Sequence, residues 1–247
     1  MKTNIFLSVT KKTTPVVASL LLNVFSLQAQ VADSNAAGRL IRYEVKPEYY
    51  ETFRKLAGDY VHYALGNSAN LLAEAYYQQD APSTLWIIER WANTTARNKS
   101  SNSAQFKALE ALSATALVQP PKTIYVQDLE PLVKKEWRKK PGKNDQPITI
   151  MLFVDSKPGT ENNFKDVYQE AMPKFRSEAG VINYQLSQFE NDSTQFVTYE
   201  KFRNEDAFQY HLGFPPIQPV IDYLNTSIKQ KPFQTGLHRL VAFAPYE

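Results

Sequence analysis

The chain has 247 residues, 43% hydrophobic and 13% aromatic, and no cysteine. That is material for one large core or two smaller ones, and it excludes both a disulfide framework and thiolate metal centres. Lys and Arg total 28 against 25 Asp and Glu, but the excess is Lys2, Lys11 and Lys12; the neutral remainder argues against nucleic acid as a partner.

The first 30 residues have the order of an export signal. Lysines come first, then an apolar run from Val16 to Leu27, then the small residue Ala29 in SLQAQ. The run falls short of the roughly 20 residues that span a bilayer. The expectation is a signal peptide over 1–30 and a mature chain that is periplasmic or secreted, without membrane insertion.

From Gly38 the pattern reads strand, helix, strand, strand, helix, strand. RLIRYEVKP (39–47) alternates and ends at a proline, and the segment 48–65 places Phe53, Leu56, Ala57, Tyr60, Val61 and Ala64 at helical spacing. NLLAEAYYQQ and TLWIIERW read as a hairpin around DAPS (80–83). A helical segment over 103–117 and the strand KTIYVQDL (122–129) complete a first domain, 38–130. A charged connector, 131–147, is expected to be a solvated linker.

The same order recurs over 148–247. ITIMLFVDSKP is a strand ended by Pro158, and the next helix carries Phe164, Val167, Tyr168, Ala171, Met172 and Phe175, an offset of 111 from the first. VINYQLSQF and QFVTYEKF repeat the hairpin, PIQPVIDYL the second helical region, and GLHRLVAFA the last strand. Polarity, turns and element order agree in one ungapped register from 39 to 100, which marks a duplication.

Each βαββαβ unit reads as ferredoxin-like, α+β, with both helices on one face of an antiparallel sheet. Strand positions of both parities are apolar, as in Leu85 and Ile87 against Trp86 and Ile88. A sheet apolar on both faces must be covered on both. The expected solution is two units packed sheet to sheet within one chain.

The duplicated stretch ERWANTTARNKS (89–100) and EKFRNEDAFQYH (200–211) carries a motif. It runs Glu200, Phe202, Ala207, His211, Pro215 and Pro216 in the second copy, and Glu89, Trp91 and Ala96, with Ser100 at the histidine position, in the first. This motif, with the opening RYEVKPEYYETF, resembles the antibiotic biosynthesis monooxygenase (ABM) domain of the dimeric α/β-barrel superfamily, over nearly the whole mature chain. The resemblance implies an intrachain dimeric α/β barrel, with a further homodimer open. It also implies oxidation of a quinol or phenolic small molecule by O2 in an apolar pocket, with no metal and no cofactor. Such chemistry needs a proton acceptor of near-neutral pKa and donors for the developing oxyanion.

His211 is the candidate catalytic base, and Glu200, Phe202, Tyr184, Tyr199 and Trp91 are candidate substrate-binding residues. The plain alternatives are a helix-start histidine satisfied by a carbonyl, a cross-strand ion pair at Glu200 and likewise at Glu89, and core packing for the aromatic residues. His62 and His238 have no partner at metal-ligand spacing and read as structural. Two other functions stay open. A haem-binding or haem-degrading relative is weakened by Phe202 in place of tryptophan and by the lack of asparagine in ITIMLFVD. A non-catalytic small-ligand barrel would share every feature above.

Overall fold

The computed structural model describes residues 36–245; the expected export signal lies outside them. The first repeat contains β1 (Ala37–Glu44), α1 (Tyr50–Gly66), β2 (Asn70–Gln78), β3 (Ala81–Trp91), α2 (Thr94–Ser100), α3 (Ala104–Ala116) and β4 (Lys122–Leu129). A short helix, α4 (Lys134–Trp137), interrupts the connector. The second repeat contains β5 (Ile148–Asp155), α5 (Glu161–Ser177), β6 (Val181–Phe189), β7 (Gln195–Phe202), α6 (Glu205–Gly213), α7 (Gln218–Thr226) and β8 (Leu237–Ala244).

The long helices turn their sequence stripe inward: Phe53, Ala57, Tyr60, Val61 and Ala64 on α1, and Phe164, Tyr168, Ala171, Met172 and Phe175 on α5. The residues shared by the two motif copies have a local cause. Asn93 and Asn204 are N-caps whose side chains accept the backbone N–H of Ala96 and Ala207, starting α2 and α6. In the second copy Gly180 packs against Ala207 and has no room for a side chain of its own. A Cβ built on Gly180 would stand 2.4 Å from that of Ala207.

Within each repeat the strands pair antiparallel in the ferredoxin-like order, β4-β1-β3-β2 and β8-β5-β7-β6. Two further pairings, β2 with β8 and β4 with β6, join the sheets into a closed eight-stranded barrel. Closure leaves no sheet edge to template association. The apolar side chains sort into three clusters: one between helices and sheet in each repeat, and one in the lumen, where Tyr76, Trp86, Ile88, Met151, Val197 and Tyr199 meet.

The lumen also holds two charged clusters, around Arg90 and Lys201, which occupy equivalent positions in the two repeats, while both counter-charges, Asp128 and Glu74, come from the first. Arg90 donates through Nε to Asp128 at 2.9 Å and through Nη2 to Ser187 at 3.1 Å. Lys201 donates to Glu74 at 2.6 Å, and the hydroxyls of Tyr76 and Tyr199 donate to the same carboxylate.

The connector differs from the solvated linker expected. Lys139, Lys140 and Lys143 are exposed, but Trp137 is 1% exposed and belongs to the lumen cluster. The Arg90 guanidinium lies 5.2 Å over its ring, and Tyr199 packs 5.8 Å away. The connector thus supplies one indole to the packing of the lumen, where its burial removes apolar surface from water.

Candidate functional site

In the second repeat the layer between helices and sheet gathers four of the sequence-identified residues. His211, on the inner face of α6, is 1% exposed. The rings of Phe175, Phe202 and Tyr184 surround it at centroid distances of 4.7, 5.2 and 5.3 Å. Tyr184 and Glu200 face each other across β6 and β7, and the Tyr184 hydroxyl donates to Glu200 Oε1 at 3.2 Å. Thr198 donates to the same oxygen at 2.6 Å. Glu200 thus bonds hydroxyls, and its partner on β5 is Ile150. The cross-strand ion pair belongs to Glu89, opposite Arg39 in the first repeat.

Glu178, which the sequence reading missed, completes the cluster. It follows α5 as the C-cap residue, and its Oε1 lies 2.7 Å from His211 Nδ1. Its other carboxyl oxygen is buried without a hydrogen-bond partner. A signal was available in the sequence: an acid at a helix C-terminus opposes the helix dipole, which favours a cation there.

Burial displaces all three titrating groups. Glu200 is pushed up to about 7 by desolvation, against the lowering effect of the Thr198 and Tyr184 bonds. Glu178 is pushed up to about 7 by desolvation and by the neighbouring Glu200. His211 falls to about 4 because burial disfavours the imidazolium. A group of displaced titrating residues within one layer marks a functional-site candidate.

The displacement has a measurable consequence. A carboxyl group raised in the folded state lends stability that is complete below its ordinary pKa, 4.5, and is lost as pH rises through about 7. For Glu200 the loss is on the order of 3 kcal/mol. His211 has the opposite sign: its contribution is present above 6.5 and is lost as pH falls through about 4. Glu200→Gln keeps an uncharged acceptor for Thr198 and Tyr184. Its stability, from urea midpoints, should exceed wild type at alkaline pH and change less across the carboxyl range. A variant less stable than wild type at alkaline pH would show that the ionised Glu200 is favourably held.

The first repeat is built differently at the equivalent positions. Ser100 replaces His211, and the layer holds an ion pair instead. Arg39 donates to Glu89 at 2.6 Å, to Tyr60 at 2.8 Å and to Ser100 at 3.0 Å, and the Tyr60 hydroxyl also donates to Glu89. Arg39 covers the Phe106 ring at 4.6 Å. Phe106 also lines a surface groove of about 510 Å³ between α3 and the strands β1 and β4. Tyr43, Phe106, Glu110, Ala114 and Leu117 are among its lining residues. Burial pushes the Tyr43 hydroxyl pKa well above its ordinary value.

Two sequence candidates lie away from His211. Tyr199 points to the opposite face of the sheet, into the lumen, where its hydroxyl meets Tyr76 at 2.9 Å. Trp91 packs in the first repeat's own helix–sheet cluster. Both are core aromatics, the alternative the sequence left open. Alternation explains Tyr199, since neighbours Tyr199 and Glu200 must face opposite sides. Position in the first repeat explains Trp91, since each repeat has its own layer. His62 is exposed, whereas His238 packs against Trp86 and Phe153 in the lumen.

The model of the family described as "Antibiotic biosynthesis monooxygenase" matches residues 37–112 and 147–221, one match per repeat. A solved structure from Lactobacillus acidophilus NCFM, named provisionally as a monooxygenase, superposes with a TM-score of 0.69 at 14% identity, covering 84% of this chain and 94% of the other. Another with the same provisional name, from Fusobacterium nucleatum, gives 0.72 at 15% identity, covering 85% and 93%. At these identities the likeness speaks for the fold. The uncharacterized protein sll1783 of Synechocystis sp. is 25% identical over 96 residues; the match takes in 39% of this chain and spans 65% of that relative's length.

Proposed function

The chain belongs to the antibiotic biosynthesis monooxygenase family, and on that premise we propose that it binds a small phenolic or quinol-like molecule between helices and sheet and oxidises it with dioxygen. The observation that carries this reading is the first-repeat groove. Its volume, about 510 Å³, falls in the range of roughly 300–1,000 Å³ typical of small-molecule sites. Its wall combines an aromatic face, Phe106, with a hydroxyl, Tyr43, and a carboxylate, Glu110. A phenol ring would lie on Phe106 with its hydroxyl toward the polar pair.

The chemistry needs little from the protein. A phenol with hydrogen on its para carbon can go to the quinone and water. One oxygen atom enters the ring, the other leaves as water, and all the electrons come from the substrate. The protein's share is to accept the phenolic proton, exclude water and hold the ring near oxygen. In the groove the available proton acceptor is Glu110.

A second reading places proton transfer at His211, with Glu200, Tyr184 and Phe202 around the substrate. The Glu178 and Glu200 carboxyls, displaced to about 7 beside the imidazole, favour it. The surrounding rings leave His211 almost no exposure, so substrate entry there requires them to move.

Oxygen uptake with a panel of hydroquinones and phenols separates the readings. Ala114→Trp fills the groove from an exposed helix position and should cut uptake at least tenfold, about 1.4 kcal/mol in activation terms, while His211→Ala leaves it. The reverse pattern assigns the reaction to His211. Binding by calorimetry that Ala114→Trp abolishes, without oxygen uptake by the wild type, would overturn oxidation and leave a binding barrel.

A further inference from the structure

The two repeats differ together at two positions that touch each other in one of them. At the offset of 111, His211 corresponds to Ser100 and Glu178 to Asn67. The backbone is the same at the acid's position: Asn67 and Glu178 are both helix C-caps, with φ/ψ of −82/131° and −63/131°. The side chains go different ways. Asn67 turns back to accept the N–H of Ala69 at 2.9 Å. Glu178 turns inward to His211 Nδ1 at 2.7 Å, with one oxygen left without a partner. Neither the helix end nor its C-cap geometry therefore calls for an acid, and burying one there against the helix dipole is unfavourable. The glutamate accompanies the histidine.

We infer that Glu178 is a positioning residue: as a carboxylate it accepts the Nδ1–H of His211, fixes the ring's tautomer and leaves Nε2 as the proton acceptor. The balance is simple. When the pair carries its extra proton, the Glu178 carboxyl O–H donates to Nδ1 and the ring proton sits on Nε2. Loss of that proton moves the shared hydrogen to Nδ1 and leaves a lone pair on Nε2. The other groups facing the pair are the carboxyl of Glu200, which adds to the charge near Glu178, and the phenol of Tyr184. The rings of Phe175, Phe202 and Tyr184 confine the imidazole without choosing between its nitrogens; the hydrogen bond to Glu178 makes that choice. What Nε2 then accepts rests on the second reading above; how the ring is held does not.

The test is the tautomer of His211, read from imidazole 15N shifts of the whole chain, where His62 and His238 are the only other histidines. At about pH 8.5, above the ordinary imidazole range, wild type should show a pyrrole-like Nδ1 and a pyridine-like Nε2. The preference should be roughly tenfold or more, the scale of one charge-assisted hydrogen bond. Glu178→Met fills the same space without an acceptor and should revert the ring to the Nε2–H form that free imidazole side chains prefer. Unchanged shifts at His62 and His238 check that the variant is folded. Glu178→Asp, should Glu178→Met not fold, should retain a weaker Nδ1–H preference. A wild-type His211 in the Nε2–H form at this pH, or a Glu178→Met variant that keeps Nδ1–H, overturns the inference. Neither outcome depends on detecting oxidation, so failure of the activity assay and failure of this assignment are separate results.

Discussion

Asp128→Ala should destabilise the chain by about 3–5 kcal/mol, read from urea or thermal unfolding at neutral pH. Asp128 lies on β4 opposite Ser187 of β6, at a seam where the two repeats join. Its carboxylate is the counter-charge of Arg90, and the two side chains are 1% and 0% exposed. Removing the carboxylate strands a guanidinium in the lumen with only Ser187, the Glu89 carbonyl and the Trp137 ring around it. The cost is that of an unpaired buried charge, and it does not measure what the pair contributes. A paired substitution makes the distinction. Asp128→Leu with Arg90→Met removes both charges and should restore most of the loss, because well-packed apolar replacements of buried pairs are often neutral or stabilising. If the double variant is as unstable as Asp128→Ala, the pair itself holds the seam.

The features legible in the sequence were those set by period and polarity. Alternating strands, the Phe53 and Phe164 stripes and the two-faced apolar sheet led to a duplicated barrel, because burial of apolar surface decides them locally. The offset of 111 also identified His211 as the residue one repeat has and the other lacks. What it could not supply was which face each strand residue takes once the sheets close. Tyr199 and Glu200 are adjacent in sequence, yet one bonds Glu74 in the lumen and the other Tyr184 beneath the helices. Glu178 was missed for a related reason. Its contact with His211 spans 33 residues, and the sequence showed only an acid at a helix end. The groove was invisible because a void depends on how far α3 stands from β1 and β4, which side-chain pattern does not encode.

Trp137→Ala should cost about 3–5 kcal/mol, the usual range for truncating a buried Trp, though the residue lies in a connector of exposed lysines. Strand closure satisfies the sheet edges, and the connector between β4 and β5 packs its indole into the lumen cluster. The connector is pinned there by Arg138, which donates to the carbonyls of Leu65, Asn70 and Leu71, and by Asn183, which donates to the Glu136 carbonyl. Those bonds seat the indole among Arg90, Tyr199 and the apolar lining. Alanine leaves a void beside two charged clusters, and water entering it weakens the Arg90–Asp128 and Lys201–Glu74 pairs together. The Trp137→Ala and Asp128→Ala losses should therefore fall short of additive, with a coupling of about 0.5–3 kcal/mol in a double-mutant cycle. Trp137→Phe keeps a ring under Arg90 and should cost clearly less than alanine. Strict additivity, or an alanine variant as stable as wild type, would show that the tryptophan is a linker residue after all and that the lumen packs without it.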